Sequence, residues 1–528
     1  MELPKVYTDR MRALLKNEYE AYIDSFNTPF YRGLRMNPIK MGNNKAQEFF
    51  GEDLEPIMWT PYGYYISAQN EASSSPLYYG GFYYIQEPSA MAPVEVLEVE
   101  PGMKVLDLCA APGGKSTQIG GHLQNHGLLV SNDISTSRAY GLLKNIELAG
   151  IKNVIVTSED ASGLVPYFTN YFDRILVDAP CSGEGMFRKN PKMITSWQEK
   201  GPVYYQVIQK TIIESAILML KPGGLLVYST CTFSSEENED VLIHALEKNS
   251  DLSIVPIEHI NRLNTRENKT VIDSSREGNP TDGIGSNIDN NRNDCVNNNI
   301  MNSDNNGDNN SDNNSDNNSV KNSVKNSVKN GVVRLYPQNI AGEGHFIAKL
   351  RKKAITLVED QVENQVPNQI DEFPKVSTMP IKDIKWPLGM NSDQIDSCNE
   401  FLKALFGDFV PFSRLQMINE KLYDFQLPLS KTKGLRALRT GWLVGDFNRN
   451  RFQPSQALGS GLLASDVIRS YELELDDPLL KRYFKGETLQ VPLEKGYWLI
   501  TIKGSGVGFV KSDGKKLKNK YNPSWLMG

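Results

Sequence analysis

Between Ala92 and Arg351 short apolar runs alternate with helical stretches, and this alternation limits the possible folds more than any other feature of the chain. The runs are Lys104–Leu108, Leu128–Asp133, Val154–Thr157, Arg174–Val177 and Leu225–Ser229, the last delivered by the turn Lys221-Pro222-Gly223-Gly224. A further strand is predicted over Gly344–Arg351. Strands that are apolar on both faces and separated by helices form a parallel sheet covered on each side. The expectation is an α/β domain over 92–352. Open sheets of this class bind ligands beyond the carboxyl ends of their strands, so the residues just past each run are the first candidates for chemistry.

The rest of the 528 residues leaves room for about two more domains. Thr8-Asp9 reads as a helix cap, followed by Met11, Leu14, Leu15, Tyr19 and Tyr22 at helical spacing. The tyrosines and glycines of Trp59–Pro88 predict short strands and turns, with packing favoured over base stacking, so 1–91 is expected as an α+β extension. Over 261–330 roughly a third of the residues are asparagine, in Ser-Asp-Asn-Asn and Ser-Val-Lys-Asn repeats that cannot supply a core. This stretch is predicted as a disordered insertion within the α/β domain; its length is tolerable because loop-closure entropy grows only logarithmically. A linker is expected over 353–382, then an intermediate region over 383–435 and a terminal domain over 436–528.

Composition excludes several classes. No apolar run approaches the roughly 20 residues of a membrane-spanning helix. The start Met1-Glu2-Leu3-Pro4 lacks a basic segment followed by an apolar one, so a cytoplasmic protein is expected. The 5 cysteines are odd in number, widely spaced and without a Cys-x-x-Cys pair, which argues against disulfide frameworks and zinc ribbons; no metal is expected. The net charge of -6 argues against a nucleic-acid partner, but its distribution argues for one. Basic residues exceed acidic ones by about five over Lys431–Arg451 and by about seven from Lys481 onward. Two such runs in one terminal region point to a polyanion.

The first chemical signal is Val105-Leu106-Asp107-Leu108-Cys109-Ala110-Ala111-Pro112-Gly113-Gly114-Lys115-Ser116-Thr117, a strand emptying into a small-residue loop that opens a helix. Such a loop lets the backbone approach a ligand at the helix N-terminus. A phosphate-binding loop fits at Gly114-Lys115-Ser116, but Cys109 stands where its first glycine belongs. A dinucleotide loop needs Gly-x-Gly-x-x-Gly, which is absent. S-adenosylmethionine is favoured, with Asp133 holding the ribose hydroxyls and Asp160 the adenine amino group; a purely structural tight turn remains the bland alternative.

The second signal is Leu176-Val177-Asp178-Ala179-Pro180-Cys181-Ser182-Gly183-Glu184-Gly185, and the third is Tyr228-Ser229-Thr230-Cys231-Thr232-Phe233. A lone cysteine is more often a buried small hydrophobe than a nucleophile. Two at the ends of strands facing one cleft reverse that expectation.

Together these motifs resemble the Sun-type RNA cytosine-5 methyltransferases. Gly183–Pro191 and Gly342-Glu343-Gly344-His345-Phe346 resemble its bacterial RsmF (YebU) branch, which acts on small-subunit ribosomal RNA. The likeness extends to Leu438-Arg439-Thr440-Gly441 and Phe452-Gln453-Pro454-Ser455, similar to that branch's RNA-binding extension with a PUA-like module. The resemblance implies a class I (Rossmann-like) methyltransferase core with an N-terminal α+β extension on the substrate side and a C-terminal PUA-like RNA-binding region. It implies Cys231 as nucleophile and Cys181 as the helper that releases the methylated base. It also implies that Cys109, Ala110, Ala111, Pro112, Gly113, Gly114, Lys115, Asp133, Asp160 and Asp178 line the S-adenosylmethionine site. Ribosomal RNA or the small subunit would be the partner of a monomeric enzyme.

The chemistry agrees with those roles. Carbon 5 of cytosine is a poor nucleophile until a thiolate adds to carbon 6, which makes it an enamine carbon able to take a methyl group. Asp178 is expected to hydrogen-bond the cytosine edge, where a protonated form could support charge at N3 during addition. His345 is expected to be structural, and Arg188 and Lys189 to meet either substrate phosphates or solvent. In DNA cytosine-5 methyltransferases the Pro-Cys thiol attacks, so only the Thr-Cys motif separates the two cysteines' roles. Arg436, Arg439, Arg449, Arg451, Lys515, Lys516 and Lys518 are candidate phosphate contacts. Three rivals stand beside this reading: a transfer RNA cytosine-5 methyltransferase, a non-catalytic RNA-binding assembly factor, and a P-loop hydrolase.

Overall fold

Strands β4 (Lys104–Asp107), β5 (Leu128–Asn132), β6 (Val154–Thr157), β7 (Phe172–Asp178) and β8 (Leu220–Thr230) lie parallel, as their two-sided apolar character dictates. They follow β1 (Arg32–Met36), β2 (Gly63–Ile66) and β3 (Tyr83–Gln86), a small antiparallel sheet ordered β2-β1-β3. The computed structural model describes residues 2–42, 46–50, 54–67, 70–257, 324–325, 327–328, 331–354, 378–412, 414–425 and 434–528. Among these, β9 (Leu252–Ile254), β10 (Val332–Leu335) and β11 (His345–Lys352) complete one side of the main sheet, with β11 antiparallel to β8.

In the C-terminal part β12 (Met379–Pro380) pairs with β13 (Phe409–Val410). Then come β14 (Leu415–Ile418), β15 (Lys421–Asp424), β16 (Ala437–Thr440), β17 (Trp442–Asn448) and β18 (Arg451–Pro454), and finally β19 (Ser470–Glu472), β20 (Gly496–Ile502), β21 (Ser505–Ser512) and β22 (Leu517–Asn519). β14-β15-β17-β18 form one sheet and β19-β20-β21-β22 another. β16 leaves both and adds antiparallel to β6, giving the order β10-β11-β8-β7-β4-β5-β6-β16. The C-terminal region is thus stitched into the edge of the catalytic sheet.

Alternation along the strands sends side chains to two cores. Leu106, Val130, Ile175, Leu226 and Tyr228 face the helices Ala161–Phe168, Lys192–Met219 and Glu239–Lys248. Val105, Leu129, Val156, Leu176 and Val227 face the helices Ala92–Val96, Gly114–Leu123 and Thr136–Leu148. A third core joins Leu34, Met36 and Phe82 of the N-terminal sheet to Tyr483, Phe484, Leu517 and Trp525 of the C-terminal domain. The ends of the chain therefore pack on each other.

Four expectations change. The first helix is Lys5–Leu15, capped by Pro4, and Thr8 lies inside it with its hydroxyl donating to the Lys5 carbonyl at 2.9 Å. That back-bond satisfies the hydroxyl without a cap, and Leu14 is 41% exposed rather than buried. The segment Lys221–Gly224 is no separate turn but an irregularity within β8, between the Phe172–Leu220 and Arg174–Leu225 pairs. Most of the asparagine-rich stretch, with Cys295, and most of the expected linker fall outside the described residues. Where the stretch is described it does supply core: Val328 is buried and Val324 packs in the same cluster, ahead of β10.

Candidate active site

β4 sits where the connections reverse: β5 and β6 lie on one side of it, β7 and β8 on the other. Ligand clefts form at such a point. After Asp107 the chain turns through Leu108–Gly113 into the helix Gly114–Leu123. Ala110 N donates to Asn132 O at 2.7 Å and Ala111 N to Asp133 Oδ2 at 3.2 Å, which fixes the loop to the end of β5. Gly113 takes φ +112°, and a Cβ there would press on Leu142 and Asn145 at 3.2 and 3.4 Å, so only glycine suits the position.

The loop forms one wall of a cleft lined by Asp107, Cys109, Ala110, Ala111, Pro112, Gly114, Lys115 and Asp178. The opposite wall was not foreseen: Tyr84, Ile85, Gln86, Glu87 and Ala90 come from β3 and the turn after it. Its only signal in the sequence was the tyrosine-rich stretch. Glu87 anchors this wall to the β11 approach, accepting from Glu343 N at 2.8 Å and from Ser89 Oγ at 2.5 Å.

Asp107 is fully buried, with Oδ2 accepting from Ser116 Oγ at 2.6 Å and Oδ1 without a partner among the described residues. Burial pushes its pKa up to about 7. An orphaned acceptor beside a small-residue loop at a helix N-terminus fits a ligand carrying an ammonium group next to a carboxylate, the amino-acid end of S-adenosylmethionine. Asp133, 2% exposed, accepts from Ser135 N at 3.0 Å as well as from Ala111 N. Asp160 is exposed and caps the helix Ala161–Phe168, accepting from Ser162 N at 3.0 Å.

Across the cleft Asp178 is held by Lys115 Nζ at 2.8 Å and Ser229 Oγ at 2.8 Å, with His345 Nε2 3.4 Å away. Burial alone would raise its pKa, but the Lys115 charge, with His345 nearby acting in the same direction, outweighs it and holds the carboxyl well below the ordinary range. The resting Asp178 is therefore a carboxylate, an acceptor. His345 is buried beside it, at the head of β11, rather than serving only as packing.

The two remaining motifs meet. Cys181, beyond the end of β7, and Cys231, beyond the end of β8, stand with their sulfurs 3.4 Å apart, each partly exposed. Their loops are bound together by Ser182 Oγ and Thr232 Oγ1 at 3.0 Å and by Gly185 N donating to Cys231 O at 2.8 Å. A Cβ on Gly185 would meet the carbonyls of Glu343, Cys231 and Gly344 at 3.1 to 3.2 Å. The hydrogen bond from Cys231, followed by burial, holds the Cys181 thiol well above its ordinary pKa.

Two buried carboxylates brace this pair, and neither was singled out from sequence. Glu237 accepts from Ser182 N at 2.9 Å and Gln209 Nε2 at 3.0 Å, and burial pushes its pKa up to about 7. Glu184 accepts from Trp197 Nε1 at 2.9 Å, from Phe233 N at 3.0 Å and from Arg10 of the first helix. Around it Tyr7, Met11, Tyr19 and Tyr22 pack on Phe187, Trp197 and Phe233, so the N-terminal helices buttress the thiol loops.

Several basic residues prove to be structural. Arg188 donates to Glu343 Oε1 at 2.7 Å and to Ser25 O at 2.7 Å, so it joins the N-terminal segment to the β11 approach. Arg439 is buried against Glu147 and fastens β16 to the catalytic domain, while the exposed Arg436 bonds Glu159 at 2.9 Å. Lys189, Arg449, Arg451, Lys515, Lys516 and Lys518 are exposed. Among the described residues no helix is long and apolar enough to cross a membrane, and no group of three or more His, Cys, Asp or Glu side chains is arranged to hold a metal.

Four family models match successive parts of the chain: the N-terminal domain of 16S rRNA methyltransferase RsmF over residues 3–88, 16S rRNA methyltransferase RsmB/F over 94–282, the RsmF first C-terminal domain over 400–462, and the RsmF PUA domain over 470–527. The chain is 26% identical to ribosomal RNA small subunit methyltransferase F of Aliivibrio fischeri (strain MJ11), across 95% of this chain and 92% of that one. With the protein of the same name from Erwinia tasmaniensis it shares 36% identity across 47% of this chain and 54% of the other. The crystal structure of PH0851 is 23% identical over 66% of each chain with a TM-score of 0.50, a likeness of fold.

Proposed function

The chain belongs to the RsmF family of 16S rRNA methyltransferases, and we propose that it methylates carbon 5 of a cytosine in small-subunit ribosomal RNA, with Cys231 as the nucleophile. The observation that carries the reading is the thiol pair itself, 3.4 Å apart beyond Asp178 at the edge of the cofactor cleft. Bound S-adenosylmethionine supplies an electrophilic methyl group there. The cleft-lining loop Cys109–Lys115 and Asp107 would hold it, with Asp133 and Asp160, outside the cleft lining, as further candidates.

Cys231 adds to carbon 6 of the cytosine, which turns carbon 5 into a nucleophile. The Thr-Cys motif assigns this step to Cys231 and leaves Cys181, in the Pro-Cys motif, to serve the later one. Asp178, as a carboxylate, accepts from the exocyclic amino group and fixes the ring over the thiols. His345 and Lys115 hold that carboxylate in place. Once carbon 5 is methylated its proton must leave before Cys231 can be eliminated, and Cys181 is the group at hand to assist.

A base within a duplex hides carbon 6, so the target is single-stranded or flipped out and its backbone is gripped elsewhere. We assign that grip to the N-terminal unit over 1–91 and to the C-terminal regions over 383–435 and 436–528, with exposed Arg449, Arg451, Lys515, Lys516 and Lys518 as phosphate contacts. Bisulfite sequencing of ribosomal and transfer RNA from cells with and without the gene tests the reading. Loss of a cytosine signal in 16S RNA is the expected result. Loss in a transfer RNA instead would overturn the target, and no change in any RNA would favour a binding factor without catalysis.

A further inference from the structure

The same thiol pair carries a second chemistry. Cys181 and Cys231 follow neighbouring parallel strands, and their sulfurs are already within van der Waals contact at 3.4 Å. Both are partly exposed, so a small solute can reach them. The loops on either side are tied by the Ser182–Thr232 and Gly185–Cys231 hydrogen bonds, which hold the two sulfurs in register. A disulfide bond is about 2.05 Å long, so closure needs the sulfurs to approach by roughly 1.4 Å. Cys109 and Cys398 have no thiol within hydrogen-bonding distance among the described residues.

We propose that Cys181 and Cys231 form a site of reversible oxidative modification, closing to a disulfide when the protein meets a hydroperoxide. In the first step one sulfur, as thiolate, attacks hydrogen peroxide; the O–O bond breaks, a sulfenic acid forms, and the departing hydroxide takes up the proton the thiol gave up and leaves as one water. In the second the other sulfur attacks the sulfenic sulfur, the S–O bond breaks, and the departing hydroxide takes up the thiol proton as a second water. Two thiols are oxidised by two electrons and one peroxide is reduced. While the bridge stands neither sulfur can add to a base, and a dithiol restores both. The second cysteine thereby shields the first from irreversible sulfinic oxidation.

The test uses the reduced full-length protein and hydrogen peroxide, followed by thiol alkylation and peptide mass spectrometry, a readout independent of what the site methylates. The expected product is a peptide pair joined through Cys181 and Cys231, about 2 Da lighter than its reduced sum and separated by dithiothreitol. In Cys181→Ser the same treatment should carry Cys231 to the sulfinic acid, about 32 Da heavier and not reversed by dithiothreitol. Both sulfurs still open to alkylation, sulfinic acid on either without a link in the unmutated protein, or a bridge to Cys109 would each overturn the proposal.

Discussion

Lys115 Nζ stands 2.8 Å from Asp178 Oδ2, so one ion pair joins the helix that opens the cleft to the strand end proposed to face the base. The ordinary depression of a paired carboxylate follows, against the burial that would raise it. The carboxylate's contribution is present above its folded pKa and lost as pH falls through that value. Removing the cation lets burial dominate, and the pKa climbs into or above the usual range of about 4. Lys115→Met should lower kcat/KM by about 10- to 100-fold, the scale of a hydrogen bond to a charged group. It should also move the acid limb of the rate profile to higher pH. An unmoved limb would separate Asp178 from the reaction.

Glu237 and Asp107 are shifted the other way, each pushed up to about 7 by burial. The folded protein then holds protons that the unfolded chain has released above about pH 4, so their stabilising contribution is full below that pH and is lost as pH rises through about 7. Thermal unfolding should show the melting temperature falling between about pH 5 and pH 7, and Glu237→Gln should reduce that slope. Equal slopes in the two proteins would mean that Glu237 is ionised beneath the thiol loops.

Arg439 and Glu147 form a buried pair, at 8% and 11% side-chain exposure, where β16 joins β6. Arg439→Ala leaves a buried carboxylate alone and should cost about 3–5 kcal/mol in denaturant unfolding. Proteolysis between the catalytic and C-terminal regions should quicken alongside. Arg436→Ala, at a side chain 64% exposed, should change neither. A tethered, independently tumbling C-terminal domain would make the two variants alike.

The core of the fold was legible because every central strand of the sheet is apolar on both faces, from Val105 to Val227, and no other arrangement buries such strands. The motif residues were legible because chemistry clusters at strand ends, and Cys109–Lys115, Asp178, Cys181 and Cys231 do so. What stayed hidden depends on long-range contact. Nothing near Arg439 in sequence announces that its partner is Glu147, so basic residues that fasten β16 looked like RNA contacts. Tyr7 and Arg10 were not singled out in the sequence, yet they brace Phe187 and Glu184 beneath the thiol loops. Thr8-Asp9 carried a capping signal, but the helix begins earlier and Thr8 bonds back to the carbonyl of Lys5 from inside it.

The central claim is that Cys231 attacks the cytosine and Cys181 releases it. The most direct measurement is covalent trapping: purified Cys181→Ala and Cys231→Ala proteins are incubated with 16S RNA and S-adenosylmethionine and run on a denaturing gel. Cys181→Ala should accumulate a protein–RNA adduct that denaturation does not separate, because addition proceeds while elimination stalls, and Cys231→Ala should form none. Adducts with Cys231→Ala alone would reverse the two roles, and their absence from both proteins would contradict covalent catalysis at this pair.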